Sequence, residues 1–186
     1  MKFKDAQTMA IHKFDMNDFL TRIQEEDESM LQHLPILKKI NEKGLITTGS
    51  QAGHWTKGIS VLNNNPYVTE ERAFIEGFMP YKKAVSFLKN MNLNTNKNAV
   101  NVFISDNPKF FKSELDIPLT ITKQNNKTKI HTHMSLSLPI HVLNCYKKEH
   151  KINLSENVLF VFCWDPIWNR NASNADGLFT DVLRNL

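Results

Sequence analysis

Five residues able to do chemistry or bracket it fall together in Thr48-Gly49-Ser50-Gln51-Ala52-Gly53-His54-Trp55, and Asp165 closes the most apolar run of the chain. A hydroxyl, an imidazole and a carboxylate are the parts of an activated nucleophile. Ser50, or Thr48, would attack, His54 would take the proton, and Asp165 would orient the imidazole. Ser50 and His54 lie four residues apart, so one loop can hold both. Asp165 has to arrive from a distant strand end. The sequence has no Gly-x-Ser-x-Gly elbow to expose the serine on a strained turn. The competing reading is a loop braced by the Gln51 amide and by packing of Trp55.

Other constellations are thinner. Period-2 alternation puts His131, His133 and His141 on the same side of one strand. His131 and His133 would stand about 7 Å apart, a usable metal-ligand pair, but His141 is about 26 Å further on and cannot complete a set. His131 and His133 are therefore weak metal candidates, and the expectation is no metal and no cofactor. Gly49, Gly53 and Gly58 are spaced like a phosphate loop, yet Lys57 precedes Gly58, whereas a P-loop lysine follows its glycine. Cys145 and Cys163 lack metal spacing, and Cys163 sits inside an apolar run as a core residue would.

The charge is unevenly placed. The 186 residues carry a net charge of +4, with −2 over residues 1–79, +8 over 80–151 and −2 over 152–186. The excess in the middle comes from lysine alone, which suits weak, non-directional attraction to phosphate more than bidentate recognition. Phe110, Phe111 and Tyr146 are interleaved with it, but no helix-turn-helix, zinc-finger or RNP-type signature is present. Weak nucleic-acid contact through the Lys-rich stretch 80–151 is the one partner this suggests. No apolar stretch is long enough to span a bilayer, and the first residues have no hydrophobic leader region. The expectation is a soluble, cytoplasmic protein with no membrane partner.

These residues need elements to position them. Residues 15–43 read as helical, broken at Pro35 and stopped by Gly44. Leu45–Thr48 reads as a short strand that opens into the Ser50–His54 loop. Residues 72–79 read as a strand followed by a helix with Pro80 at its first position. That helix would carry Ala84, Val85 and Leu88 inward and end near Met91. A continuous helix through 71–91 is the alternative. Val100, Val102 and Ile104 alternate in a further strand, and Asn107-Pro108 would open a short helix. Ile117, Leu119 and Ile121 alternate up to Asn125-Asn126, a two-residue turn, so residues 117–138 read as a hairpin. Its register would pair Ile121 with Ile130, Leu119 with Thr132 and Ile117 with Met134. Val158–Trp164 is apolar on both faces and reads as a buried central strand ending at Asp165-Pro166. A last helix from about Asp176 carries Leu178, Phe179, Val182 and Leu183.

Four pieces together resemble an uncharacterised family of small proteins from bacteria and large DNA viruses. They are Ile46-Thr47-Thr48-Gly49-Ser50-Gln51-Ala52-Gly53, Glu71-Arg72-Ala73-Phe74-Ile75-Glu76-Gly77-Phe78, Asp165-Pro166-Ile167-Trp168-Asn169-Arg170, and Leu178-Phe179 with Val182-Leu183. The resemblance spans residues 45–183. It implies no activity, but it implies that Thr48, Ser50, Gln51, Glu71, Arg72, Asp165 and Arg170 work as one set. The Asn and Lys richness fits an AT-rich genome and so suggests a viral source, for which the place of action would be the host cytoplasm or the virion.

The expected fold is a single α/β domain over residues 1–186. It has an N-terminal helical segment at 1–43 and a core at 44–186 built on a mixed sheet of five to six strands with flanking helices. The expected function is a non-catalytic binding or structural protein with a polar site at the Ser50–His54 loop. Thr48, Gln51, Glu71, Arg72 and Arg170 are its ligand-binding candidates. The alternatives are a hydrolase using Ser50, His54 and Asp165, and a non-specific nucleic-acid binder.

Overall fold

A computed structural model describes residues 28–94, 101–105, 117–132 and 158–186. The expectations for residues 15–27, the short helix after Asn107, His133 and His141 lie outside these. The chain opens with a 3-10 turn at Glu28–His33. In order follow α1 (Leu34–Glu42), β1 (Ile46–Gln51), β2 (Trp55–Ile59), β3 (Pro66–Pro80), α2 (Tyr81–Asn94), β4 (Asn101–Ser105), β5 (Pro118–Gln124), β6 (Lys127–Thr132), β7 (Val158–Trp168) and α3 (Leu178–Asn185). The described residues combine helices with a seven-stranded sheet, and each described pairing is antiparallel. The described strands number seven where five or six were expected. The strand that sequence reading missed is β2, whose Gly58 and exposed Trp55 and Ile59 hide a period-2 pattern.

Proline and glycine set the element ends. Pro35 falls in the first turn of α1, where its missing N–H costs nothing, so the expected break becomes a change from 3-10 to α-helix. Gly44, at φ 104°, takes the left-handed stop after α1, its N–H reaching Ile40 O and Asn41 O. Residues 71–79 are strand, but Pro80 is the last residue of β3, paired with Val158, and not the first of the helix as expected; α2 begins at Tyr81. The inward residues of α2 are Ala84, Phe87 and Met91, whereas Val85 is 47% exposed. The expected phase was wrong there because it left out Phe87. The hairpin turns at Asn125 and Asn126, both in the left-handed region, at φ 51° and φ 59° respectively. Such a turn suits two asparagines, and Ile121 faces Ile130 as expected. A register shift at Leu119 then makes Pro118, not Leu119, the partner of Thr132.

β3 organises the sheet. Its first half pairs with β2 and β5, its second half with β1 and β7. In an extended strand one residue aims its N–H and C=O at the same edge, and the next residue aims at the other. Glu71 N–H goes to His54 O at 2.9 Å, and Glu71 O accepts Asn169 N–H at 2.7 Å. β7 and β2 therefore meet on one edge of β3. The Arg72 carbonyl points to the opposite edge and accepts the Gln51 side-chain amide at 2.9 Å; Leu119 O lies 3.4 Å from the same nitrogen. β1 and β5 meet there. Residues 52–54, which join β1 to β2, consequently cross over β3.

The crossing explains Gly53. Its φ is +71°, and a Cβ on it would lie 2.7 Å from both Ala73 N and Arg170 O. Beside it, Ala73, Ile75 and Met79 of β3 and Val161 and Cys163 of β7 form one buried face. Leu37 and Ile40 of α1, Ala84 and Phe87 of α2, and Leu178, Phe179 and Val182 of α3 belong to the same core. Burial of each such Leu, Ile or Phe is worth about 1.5–3 kcal/mol. On the other face Phe74, Phe78 and Phe162 are also buried, so β7 is buried on both sides as its sequence implied.

Candidate functional site

The crossing gathers most of the expected site. Gly49, Ser50 and Gln51 do not form a loop: they continue β1 opposite Glu76, Ile75 and Phe74. The actual connection is Ala52-Gly53-His54. Thr48 falls at the irregularity in β1 between Thr47 and Gly49. Gln51 extends past the end of β1, where its amide nitrogen also lies 3.3 Å from the Thr120 hydroxyl. The side chain thus fills the ladder gap between β1 and β5.

Asp165 is fully buried and is engaged by Arg170. Arg170 Nε donates to Oδ2 at 2.6 Å and Nη2 to Oδ1 at 2.7 Å. This two-point clamp holds both groups in plane. Ile167 N–H donates to Oδ1 at 2.8 Å. That bond explains how β7 runs on past Pro166 instead of ending there. Asp165, Pro166 and Ile167 stand opposite the single Ala73 of β3, and the Asp165 carboxylate caps the bulge.

Arg72 lies across the same junction. Its guanidinium sits 4.3 Å from the Trp168 ring centre and donates to Pro118 O at 3.2 Å. Over the ring face the cation meets the negative side of the aromatic quadrupole. Burial pulls this guanidinium below its ordinary range, and the Asp165 charge opposes that shift. Glu71 approaches His54: Oε2 lies 2.8 Å from Nδ1, with the His54 side chain 38% exposed.

The structure therefore unites Gln51, Arg72, Asp165 and Arg170 around the crossing and pairs His54 with Glu71. It does not unite Ser50, His54 and Asp165. Among the described residues Ser50 bonds to neither of the others, and both Asp165 oxygens are engaged elsewhere. Trp55, expected to brace the loop by packing, is 55% exposed. His131 stands opposite Thr120, and no described set of three His, Cys, Asp or Glu side chains is arranged to hold a metal. Cys163 is fully buried, and burial pushes its thiol up.

Two residues escaped the sequence reading. Asn169, at φ 62°, accepts Glu71 N–H through its side chain at 3.1 Å and so fastens β7 to the crossing. Glu76 is only 5% exposed, between Phe74 and Phe78 along β3, and burial pushes its carboxyl up to about 7. Gly49 makes room for it, since a Cβ there would lie 2.8 Å from Glu76 Oε1. The sequence signal was partial: Glu76 interrupts the apolar run from Ala73 to Met79, and the glycine it faces follows only from the β1–β3 register.

The sequence matches no family model and no curated protein. No described helix is long and apolar enough to cross a membrane.

Proposed function

We propose that the chain is a non-catalytic binding protein. In this reading the Gln51–Arg72–Asp165–Arg170 set fastens the crossing, and the outer sheet of β2, β5, β6 and the first half of β3 is the surface it supports. One observation carries the reading: Asp165, the expected orienting carboxylate, is fully buried with both oxygens bonded to Arg170. A carboxylate so held is unavailable to an imidazole, and a buried two-point ion pair suits fixing a chain path. The resemblance to the bacterial and viral family fits this reading, because its quoted pieces converge on the crossing.

A hydrolase is the second reading, favoured by the His54–Glu71 contact, which could orient an imidazole as an acid–base group. Turnover of p-nitrophenyl acetate and p-nitrophenyl phosphate by the wild-type chain and by His54→Ala separates the two. Equal, background-level rates are expected. Turnover that disappears with His54 overturns the non-catalytic reading.

A further inference from the structure

We infer that the outer sheet binds single-stranded nucleic acid, with Lys57 and Lys127 contacting phosphates and Trp55 stacking on a base. The inference rests on the binding-protein reading and names the partner of that surface.

The register places the groups. Residues directly opposite one another in an antiparallel ladder share a face. Lys57, Val68, Lys123 and Thr128 form one row across the four strands, and Trp55, Glu70, Ile121 and Ile130 form the next. Trp55 and Lys57 alternate outward on β2 and are both exposed. Where β2 meets the hairpin turn, an open groove of about 380 Å³ is lined by Lys57, Tyr67, Lys123, Gln124 and Lys127. The one acid in the two rows, Glu70, is held by Lys123 at 2.5 Å, and that contact keeps its carboxyl below the ordinary range. Lys127 belongs to the adjacent row with Gly58, Tyr67 and Gln124, on the opposite face from Lys57 and Trp55, and joins Lys57 only in the groove at the end of the sheet. Among the described residues Lys57, Lys127 and Lys129 make no ion pair, and of these Lys57 and Lys127 line the groove, where they are open to a phosphate.

Charge and shape then select the partner. Lysines beside a shallow groove attract a phosphate chain, and an exposed indole offers a stacking face to any base. A duplex hides its base faces, and the described part of this sheet offers no helix to enter a groove. A single strand leaves both backbone and bases available.

Fluorescence anisotropy of labelled 15-nucleotide dT and rU oligomers tests the inference on the full chain, with a matched duplex and heparin as competitors. Single-strand binding that weakens with salt is expected. Trp55→Ala should lower affinity about fivefold or more. Lys57→Glu/Lys127→Glu should lower it about tenfold or more and reduce the salt slope by about 1.4. Lys38→Glu/Lys39→Glu, on exposed positions of α1, removes the same charge and should leave binding within about twofold; circular dichroism of each variant checks the fold. The inference is overturned by no binding at low salt, by equal loss in the α1 control, or by binding indifferent to Trp55 and equally strong to duplex or heparin. Those outcomes leave the non-catalytic reading intact, and His54-dependent turnover would overturn that reading without altering oligonucleotide affinity.

Discussion

Asp165 and Arg170, only five positions apart, clamp each other through both carboxylate oxygens, with Asp165 wholly buried and the Arg170 side chain 11% exposed. The clamp works only as a pair. Asp176 reaches Arg170 at 3.8 Å, but its side chain is 59% exposed. An exposed carboxylate at that distance is too well solvated to replace the buried partner. Asp165→Asn should therefore leave a nearly buried guanidinium without its counter-charge and cost about 3–5 kcal/mol. Urea unfolding measures this. Arg170→Lys should lose less, because it keeps the charge but forfeits the two-point geometry.

Glu76 gives the protein a pH response of definite sign. Its carboxyl is raised from an ordinary 4.5 to about 7 by burial. Between those values the folded state binds more protons than the unfolded chain, so stability falls as pH rises from about 4.5 to about 7 and then levels off. Shifts of this size correspond to about 3 kcal/mol. Glu76→Gln should abolish that decline, gaining on the wild type between pH 5 and pH 8. Unfolding midpoints at the two pH values check it, and an unchanged difference between the two proteins would exclude Glu76 as the source.

Arg72 is held by the flat face of its guanidinium as well as by its charge. Arg72→Lys removes the stacking on Trp168 and the directed bond to Pro118 O. The loss should cost about 1–3 kcal/mol. Trp168 should also become more accessible, which acrylamide quenching of tryptophan emission measures. Unchanged quenching would place the energetic role of Arg72 elsewhere.

The sequence exposed those parts of the fold that depend on local chemistry. Asn125-Asn126 announced the hairpin because few side chains tolerate the left-handed turn, and Pro80 marked the passage from β3 to α2 because it cannot continue a ladder. Gly44 stopped α1 for the same kind of reason. The crossing was hidden because it is written in backbone bonds: Glu71 divides its N–H and C=O between His54 and Asn169, and any residue has those groups. The resemblance groups Thr48, Ser50, Gln51, Glu71, Arg72, Asp165 and Arg170; Gln51, Arg72, Asp165 and Arg170 lie at the crossing, and their bonding partners were not legible in the sequence. Asp165 was assigned to His54 on strand-end geometry, and the bulge that turns it toward Arg170 follows from Pro166 only once the β3 pairing is known.

Gly53 tests the crossing directly. Its φ is +71°, and an added Cβ would sit 2.7 Å from Ala73 N, a backbone atom held in the central strand. An alanine there is strained by its dihedral angle as well as by the contact. Neither side can yield without opening the ladder, so Gly53→Ala should cost about 2–3 kcal/mol or more. Gly58→Ala supplies the contrast. Its Cβ would meet only the outer ring atoms of Tyr67, at 2.9 Å, and φ there is ordinary. The tyrosine can swing to another rotamer at smaller cost. Guanidinium unfolding of the two variants should rank Gly53→Ala well below Gly58→Ala, and the reverse order would mean that residues 52–54 do not pass over β3.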